Sequence, residues 1–165
     1  MVGPTTVIEA FNLARIDYVI VGGIATILHG FMRTTGDLDL MIDLRRENIE
    51  SSAAVFARLG VIPRPPVAFE NLADVSIRES WIRDKAMKVF SMFDPRMPSL
   101  EIDILLESPI PFQELYERAV LKPLGKIAAK VCSLDDLIAM KTYANRPVDR
   151  RDIEVLREIK KNAGM

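Results

Sequence analysis

A mixed α/β fold, one β-sheet flanked by helices and followed by a helical C-terminal segment, is predicted for this chain on three observations. A strand, a glycine pair, a short helix and a second strand succeed one another between Tyr18 and Asp43. Two later runs rich in strand formers, Lys88 to Phe93 and Leu100 to Leu105, flank the turn chemistry of DPRMPS. Apolar residues recur at helical spacing near both ends of the chain. With 165 residues, 49% hydrophobic and 27% charged, the expectation is one domain over 1–165, its core at about 1–107 and its helical C-terminal segment at about 108–165.

Thr6 with Glu9 forms a capping box, and Val7, Ile8, Phe11 and Ala14 form one apolar stripe, so the first helix is expected from Pro4 to Arg15. Asp17 turns the chain into a strand, Tyr18 to Val21. Gly22 and Gly23 follow, then a helix from Ile24 to Leu28, a loop ending near Gly36 and a strand from Asp37 to Ile42. Ile49, Ala53, Phe56 and Leu59, stopped by Gly60, predict a helix from about Arg45 to Leu59, with Asp43 as its cap. The prolines within Ile62 to Phe69 make that segment a loop or an edge strand. Asn71 to Arg83 is compatible with a short helix through Ile77, Trp81 and Ile82. The runs on either side of DPRMPS are expected to pair as an antiparallel hairpin. Pro109, Pro111 and Pro123 break up the next stretch around a helix from about Phe112 to Ala119, and Ile127 to Cys132 reads as one more strand. Two helices close the chain, Leu134 to Asn145, opened by Ser133 and Asp136, and about Val148 to Lys161 after Pro147.

Chemistry concentrates in the strand Asp37 to Ile42. Side chains alternate across a strand, so Asp37 and Asp39 share one face while Leu38, Leu40 and Ile42 share the other. Two carboxylates so placed repel unless a cation lies between them, and an all-oxygen site suits Mg²⁺. The glycine pair, between a strand and a helix start, lets an anion approach the backbone. Asp103, between Ile102 and Ile104, is the candidate third carboxylate; with Glu101 it can equally line the wet face of a sheet.

A glycine pair, a spacer of thirteen residues, Asp-Leu-Asp-Leu and a later apolar-Asp-apolar strand together resemble the signature of the nucleotidyltransferase fold, the superfamily of DNA polymerase β. Within it, GGIATILHGFMRTTGDLDLMID resembles the small bacterial nucleotidyltransferases of the AbiEii type, whose members include toxins of toxin–antitoxin pairs. SLDDLIAMKTYANRPVDRRDIEVL resembles that group's C-terminal segment, whereas Ile62 to Asp84 carries no resemblance. The resemblance implies that Asp37, Asp39 and Asp103 hold two Mg²⁺ ions and that Asp103 also serves as general base. It implies further that Gly22, Gly23 and the following helix hold the triphosphate of an NTP, and that Lys141 is a basic residue of the nucleotide site. Lys141 lies on the inward stripe of its helix with Leu134, Leu137 and Ile138; its stem can also pack there while its amine reaches water. Arg33 is a candidate phosphate or acceptor contact and can equally be an exposed loop arginine. Arg146, Asp149 and Asp152 belong to the resembling segment, though helix-start acids and a surface arginine account for them equally.

Two functions follow as expectations: transfer of a nucleoside monophosphate to a hydroxyl of RNA such as tRNA, of a protein or of a small molecule, or a binding protein that keeps the fold without catalysis. A basic rim from Arg33, Arg146, Arg150 and Arg151 is expected for tRNA, an acidic cleft for a small molecule. A cognate antitoxin is the candidate protein partner. A formal net charge of -1 leaves no global field for nucleic acid. One cysteine, Cys132, and no run long enough to span a membrane point to the cytoplasm. His29, the single histidine, is read as a hydrogen-bonded structural residue. Gly-x-Gly-x-x-Gly and Gly-Lys-Ser/Thr are both absent, which excludes a dinucleotide fold and a P-loop ATPase.

Overall fold

A computed structural model of the chain describes residues 2–165. Seven strands form one mixed sheet in the order β3-β4-β5-β2-β1-β7-β6. They are β1 Tyr18–Val21, β2 Asp37–Ile42, β3 Ile62–Pro63, β4 Val89–Asp94, β5 Met97–Leu105, β6 Val120–Leu124 and β7 Ile127–Val131. The helices are α1 Pro4–Leu13, α2 Gly22–Leu28, α3 Arg46–Leu59, α4 Val75–Lys85, α5 Phe112–Arg118, α6 Leu134–Ala144 and α7 Pro147–Asn162. No helix of the described residues is long and apolar enough to cross a membrane.

All of β1 is buried, as expected of a central strand covered on both faces. It runs antiparallel to β2 and parallel to β7, and β2 runs parallel to β5. One row across the sheet is therefore Phe90, Ile104, Leu40 and Ile20, and the next is Met92, Ile102 and Leu38, all buried. Against this face packs an aromatic chain from Tyr18 through Phe11, Phe56, Phe69 and Phe90 to Trp81, with neighbouring ring centroids 5.3–5.9 Å apart. Each such pair contributes about 0.5–1.5 kcal/mol beyond its buried area. The chain links α1, α3, the 3-10 turn Phe69–Ala73 and α4 to the sheet. The opposite face of β2 and β5 carries the acids.

Three sequence expectations are corrected. Gly3, not Thr6, caps α1: Pro4 presets the first turn, and the Thr6 hydroxyl accepts from the Gly3 N–H at 3.4 Å. Arg45, not Asp43, caps α3, because the Asp43 carboxylate accepts from the Arg45 N–H and guanidinium at 2.9 and 2.6 Å. The stretch read as broken up by Pro123 holds one further strand. Val120–Leu124 forms an edge strand on β7 despite Pro123, which an edge tolerates because its missing N–H needs no partner on the open side. The hairpin of β4 and β5, the Ser133 cap at 3.1 Å from the Asp136 N–H and the left-handed Gly60 stop stand as read.

Candidate active site

Strand register builds the site. Asp39 on β2 lies directly opposite Asp103 on β5, and Asp37 lies opposite Glu101. Neighbouring strands are about 4.8 Å apart, so the four carboxylates share one patch of the sheet face. Continuing the Asp39–Asp103 row, Ser91 lies opposite Asp103 on β4, and Val21 lies opposite Asp39 on β1, one residue before Gly22. The Ser91 hydroxyl donates to Asp103 Oδ1 at 2.6 Å. Glu101 Oε1 forms an ion pair with Arg64 Nε at 2.5 Å, and the same guanidinium lies 4.1 Å over the Phe93 ring.

Gly22 opens α2 with φ +68°, and a Cβ there would come 2.3 Å from Asp39 Oδ2. A side chain would thus collide with the carboxylate and adopt a left-handed backbone as well. The missing side chain of Gly22 makes room for Asp39 and the Gly23 backbone pulls its carboxyl down, so the glycine pair seats this acid against the start of the helix. Beside it, a Cβ on Gly23 would meet Thr35 Oγ1 at 2.6 Å and Arg33 Nη2 at 3.1 Å.

Charge is unbalanced on this patch. Burial, then the charges of Asp103 and Asp37, push Asp39 up to about 6, against the pull of the Gly23 N–H and Arg146. Asp103 is also raised, by burial first and by Asp37 and Glu101, while the Ser91 hydroxyl and Arg64 hold it down. Among the described residues no three acid, histidine or cysteine side chains form a closed metal cage. The donor chemistry nevertheless fits magnesium, which binds through one or two carboxylates and takes its remaining ligands from water and phosphate. Asp37, Asp39 and Asp103 are the residues that could hold it, and the raised Asp39 marks the negative charge that a cation would neutralise.

Behind the glycines lies a buried ionic network. Lys141, 3% exposed, donates to Asp152 Oδ2 at 2.8 Å and lies 3.5 Å from Asp149 Oδ1. Arg33 Nη2 reaches the same Asp152 oxygen at 3.1 Å, and Arg146 binds both oxygens of Asp149 at 2.8 and 3.1 Å. Burial raises Asp149, but the Arg146 bonds more than offset it and leave the acid below its ordinary range. Three cations face two acids here, leaving one positive charge in excess beside Asp39. Among the described residues Arg33 Nε and Asp152 Oδ1 are buried without partners, so this pair is held by a single atom contact.

Of the residues singled out in the sequence, Asp37, Asp39 and Asp103 share the sheet face, Gly22 and Gly23 adjoin Asp39, and Arg33 adjoins Gly23. Lys141 lies behind them, joined through Asp152 to Arg33. His29 donates from Nε2 to the Cys132 carbonyl at 2.8 Å, a structural bond between α2 and the end of β7. Cys132 is buried and its thiol is pushed up to about 12 by burial, so it offers no thiolate. Ser91 and the Arg64–Glu101 pair had no sequence signal of their own and appear only through strand register.

A seven-stranded mixed sheet with paired acids on parallel neighbours beside a glycine-led helix agrees with the nucleotidyltransferase resemblance of the sequence. Residues 7–161 match the family described as "Nucleotidyltransferase of unknown function (DUF6036)", and the chain belongs to it. No curated protein matches the sequence. Among solved structures, the chain is similar to ANT(2")-Ia in complex with adenylyl-2"-tobramycin, with TM-score 0.56 and 16% identity over 95% of this chain and 85% of that one. It is similar to the lincosamide antibiotic adenylyltransferase LnuA, lincomycin-bound, with TM-score 0.59 and 13% identity over 94% of each chain. The solution structure of antibiotic-resistance factor ANT(2'')-Ia gives TM-score 0.58 and 15% identity over 95% of this chain and 80% of that one. At these identities the likeness is one of fold.

Proposed function

We propose that the protein transfers a nucleoside monophosphate from an NTP to the hydroxyl of an acceptor. The observation that carries the reading is the direct opposition of Asp39 and Asp103, with Asp37 alongside, at the end of β1 where the glycine pair begins α2. In the reaction the acceptor oxygen bonds to the α-phosphorus, the bond to the β-phosphate bridging oxygen breaks, and pyrophosphate leaves. Asp103 takes the hydroxyl proton on Oδ2, since Oδ1 is engaged by Ser91. Asp37, Asp39 and Asp103 would hold Mg²⁺, which when bound supplies Lewis-acid charge to the phosphoryl oxygens and the leaving group. Gly22, Gly23 and the start of α2 cradle the triphosphate. Arg33, whose Nη2 bonds Asp152 and whose Nη1 donates to the Thr34 carbonyl, lends positive charge beside Gly23. Lys141 supplies positive charge from behind, and most of the catalysis is positioning and electrostatics.

For the acceptor we propose a small polar molecule bearing a hydroxyl. Asp37, Asp39, Glu101 and Asp103 make the sheet face acidic, while Arg33 and Arg146 are committed to Asp152 and Asp149 and Arg64 to Glu101. Acceptors named in the antibiotic adenylyltransferase structures, tobramycin and lincomycin, are of this class. A second reading is favoured by the AbiEii-type resemblance and by the exposed arginines Arg146, Arg150 and Arg151 at the start of α7: an RNA acceptor, with a cognate antitoxin as partner. Incubation with each labelled NTP, Mg²⁺ and either total RNA or a small-molecule extract tests both. Label is expected in the small-molecule fraction with wild type and not with Asp39→Ala. Equal labelling by the two proteins rejects the mechanism, and label confined to RNA selects the second acceptor. A protein that binds NTP without transferring label is the non-catalytic alternative.

Gly22→Ala tests the glycine step. Left-handed strain costs about 1–2 kcal/mol. A carboxylate displaced by about 1 Å loses about a hundredfold in rate. Melting and transfer rate should both fall, and a variant with wild-type rate would show that Asp39 does not need the space.

A further inference from the structure

We infer that Ser91 is a positioning residue of this site: its hydroxyl holds the Asp103 carboxylate in one orientation and so decides which oxygen faces the reaction. The inference rests on the transferase reading and adds to it a residue outside the acids, glycines and basic network.

Three observations carry it. Ser91 is the direct cross-strand partner of Asp103, and its only hydroxyl proton is donated to Oδ1 at 2.6 Å. Its neighbours on the same face of β4 are Val89 and Phe93, so a polar side chain interrupts an apolar row at the position opposite Asp103, whereas Phe93 lies opposite Glu101. Serine is a weaker strand former than valine or threonine, so strand formation alone does not select it. Finally, Arg64, the nearby cation that lowers Asp103, is bound to Glu101 at 2.5 Å, which leaves Ser91 as the group that fixes Oδ1.

The physical consequence is orientational. The terminal torsion of an aspartate is broad and twofold, so a carboxylate without a partner samples many orientations. The charges of Asp37 and Glu101 on the same face would turn it further. With Oδ1 tied to a neutral donor, Oδ2 is left for the reaction at no cost in rearrangement. Threonine offers the same hydroxyl at the same distance from the backbone. Alanine removes it and leaves Asp103 free to rotate.

Ser91→Ala, Ser91→Thr and Asp103→Asn, with the Ser91→Ala/Asp103→Asn double variant, test this. The measurements are NTP transfer kinetics, Mn²⁺ binding to the nucleotide-free protein followed by electron paramagnetic resonance, and thermal melting as a check on folding. Outer partners of metal-site residues are worth about 10–100-fold in affinity or activity. Ser91→Ala should therefore lower kcat and Mn²⁺ affinity by about 10–100-fold, leaving the KM for NTP within about twofold. Ser91→Thr should restore both, and Ser91→Ala should add no loss in the Asp103→Asn background. Wild-type kcat and Mn²⁺ affinity in Ser91→Ala overturn the assignment. So does an equal loss from Ser91→Ala with and without the Asp103 carboxylate. If wild type transfers no label from any NTP, the transferase reading fails, and the Mn²⁺ comparison still decides the role of Ser91.

Discussion

Asp39→Asn is expected to abolish nucleotidyl transfer and, at the same time, to make the metal-free protein more stable at neutral pH. The two effects share one cause. Burial and the charges of Asp103 and Asp37 raise Asp39 from 3.8 to about 6 in the folded protein. The native state therefore binds this proton more tightly than the unfolded chain, and stability falls as pH rises from about 4 to about 6, then levels off. Two pH units correspond to about 3 kcal/mol carried as strain by the ionised site. Asparagine keeps the shape and removes the charge, so above about pH 6 the variant should melt higher by roughly 5–10 °C. Below about pH 4 the difference should vanish, since both side chains are then neutral. Mg²⁺ should raise the melting temperature of wild type more than that of the variant, because binding to the native state alone stabilises it. Transfer should drop about a thousandfold, the rate equivalent of several kcal/mol of transition-state stabilisation. Melting curves across pH and a transfer assay measure all of this. A variant that melts lower than wild type at neutral pH would show that Asp39 is held by partners, not repelled by neighbours.

Lys141→Met should act in the opposite sense on stability. The lysine is 3% exposed, and its amine serves Asp152 at 2.8 Å and Asp149 at 3.5 Å, both carboxylates almost completely buried. Methionine replaces the stem but removes the one buried cation that both carboxylates share, leaving Asp152 only its Arg33 contact and Asp149 only Arg146. Removing one partner of a buried pair costs about 3–5 kcal/mol. At this chain length the loss corresponds to a drop in melting temperature of roughly 6–20 °C. Arg33 and Arg146 still touch the two acids, so the effect belongs at the lower end of that range. Asp152→Asn should reduce the cost of Lys141→Met, since the charge left behind is smaller. The same measurement separates the two roles open to Lys141. If Lys141→Met melts like wild type but binds NTP weakly, the amine is a phosphate ligand; a lowered melting temperature with NTP affinity retained makes it the counter-ion that holds α6 to α7.

Much of the fold was legible because local signals and burial agreed. The ends of β1 and β2 coincide with the predicted strands, since Tyr18 to Val21 is apolar throughout and the Asp-Leu-Asp-Leu alternation demands one wet and one dry face. The strand Val120–Leu124 was not legible, because Pro123 reads as a breaker until the strand is known to be an edge. In the site, the acids announced themselves as charges inside apolar strands. Their spatial order did not. The pairing of β4 with β5 shifts between Phe93 and Asp94, and a shift of one residue would place Met92 or Phe90, not Ser91, against Asp103.

By itself the sequence determined which residues are acidic on an apolar strand and where glycines stand before a helix, because alternation and backbone freedom are local properties of the chain. Tertiary structure alone decided that Asp39 opposes Asp103 and that Gly22 yields its side-chain space to Asp39. It also turned Lys141, Asp149, Asp152, Arg33 and Arg146 into one network. Those facts depend on parallel register and helix packing between segments up to 119 residues apart, and no local preference encodes a distance across the sheet.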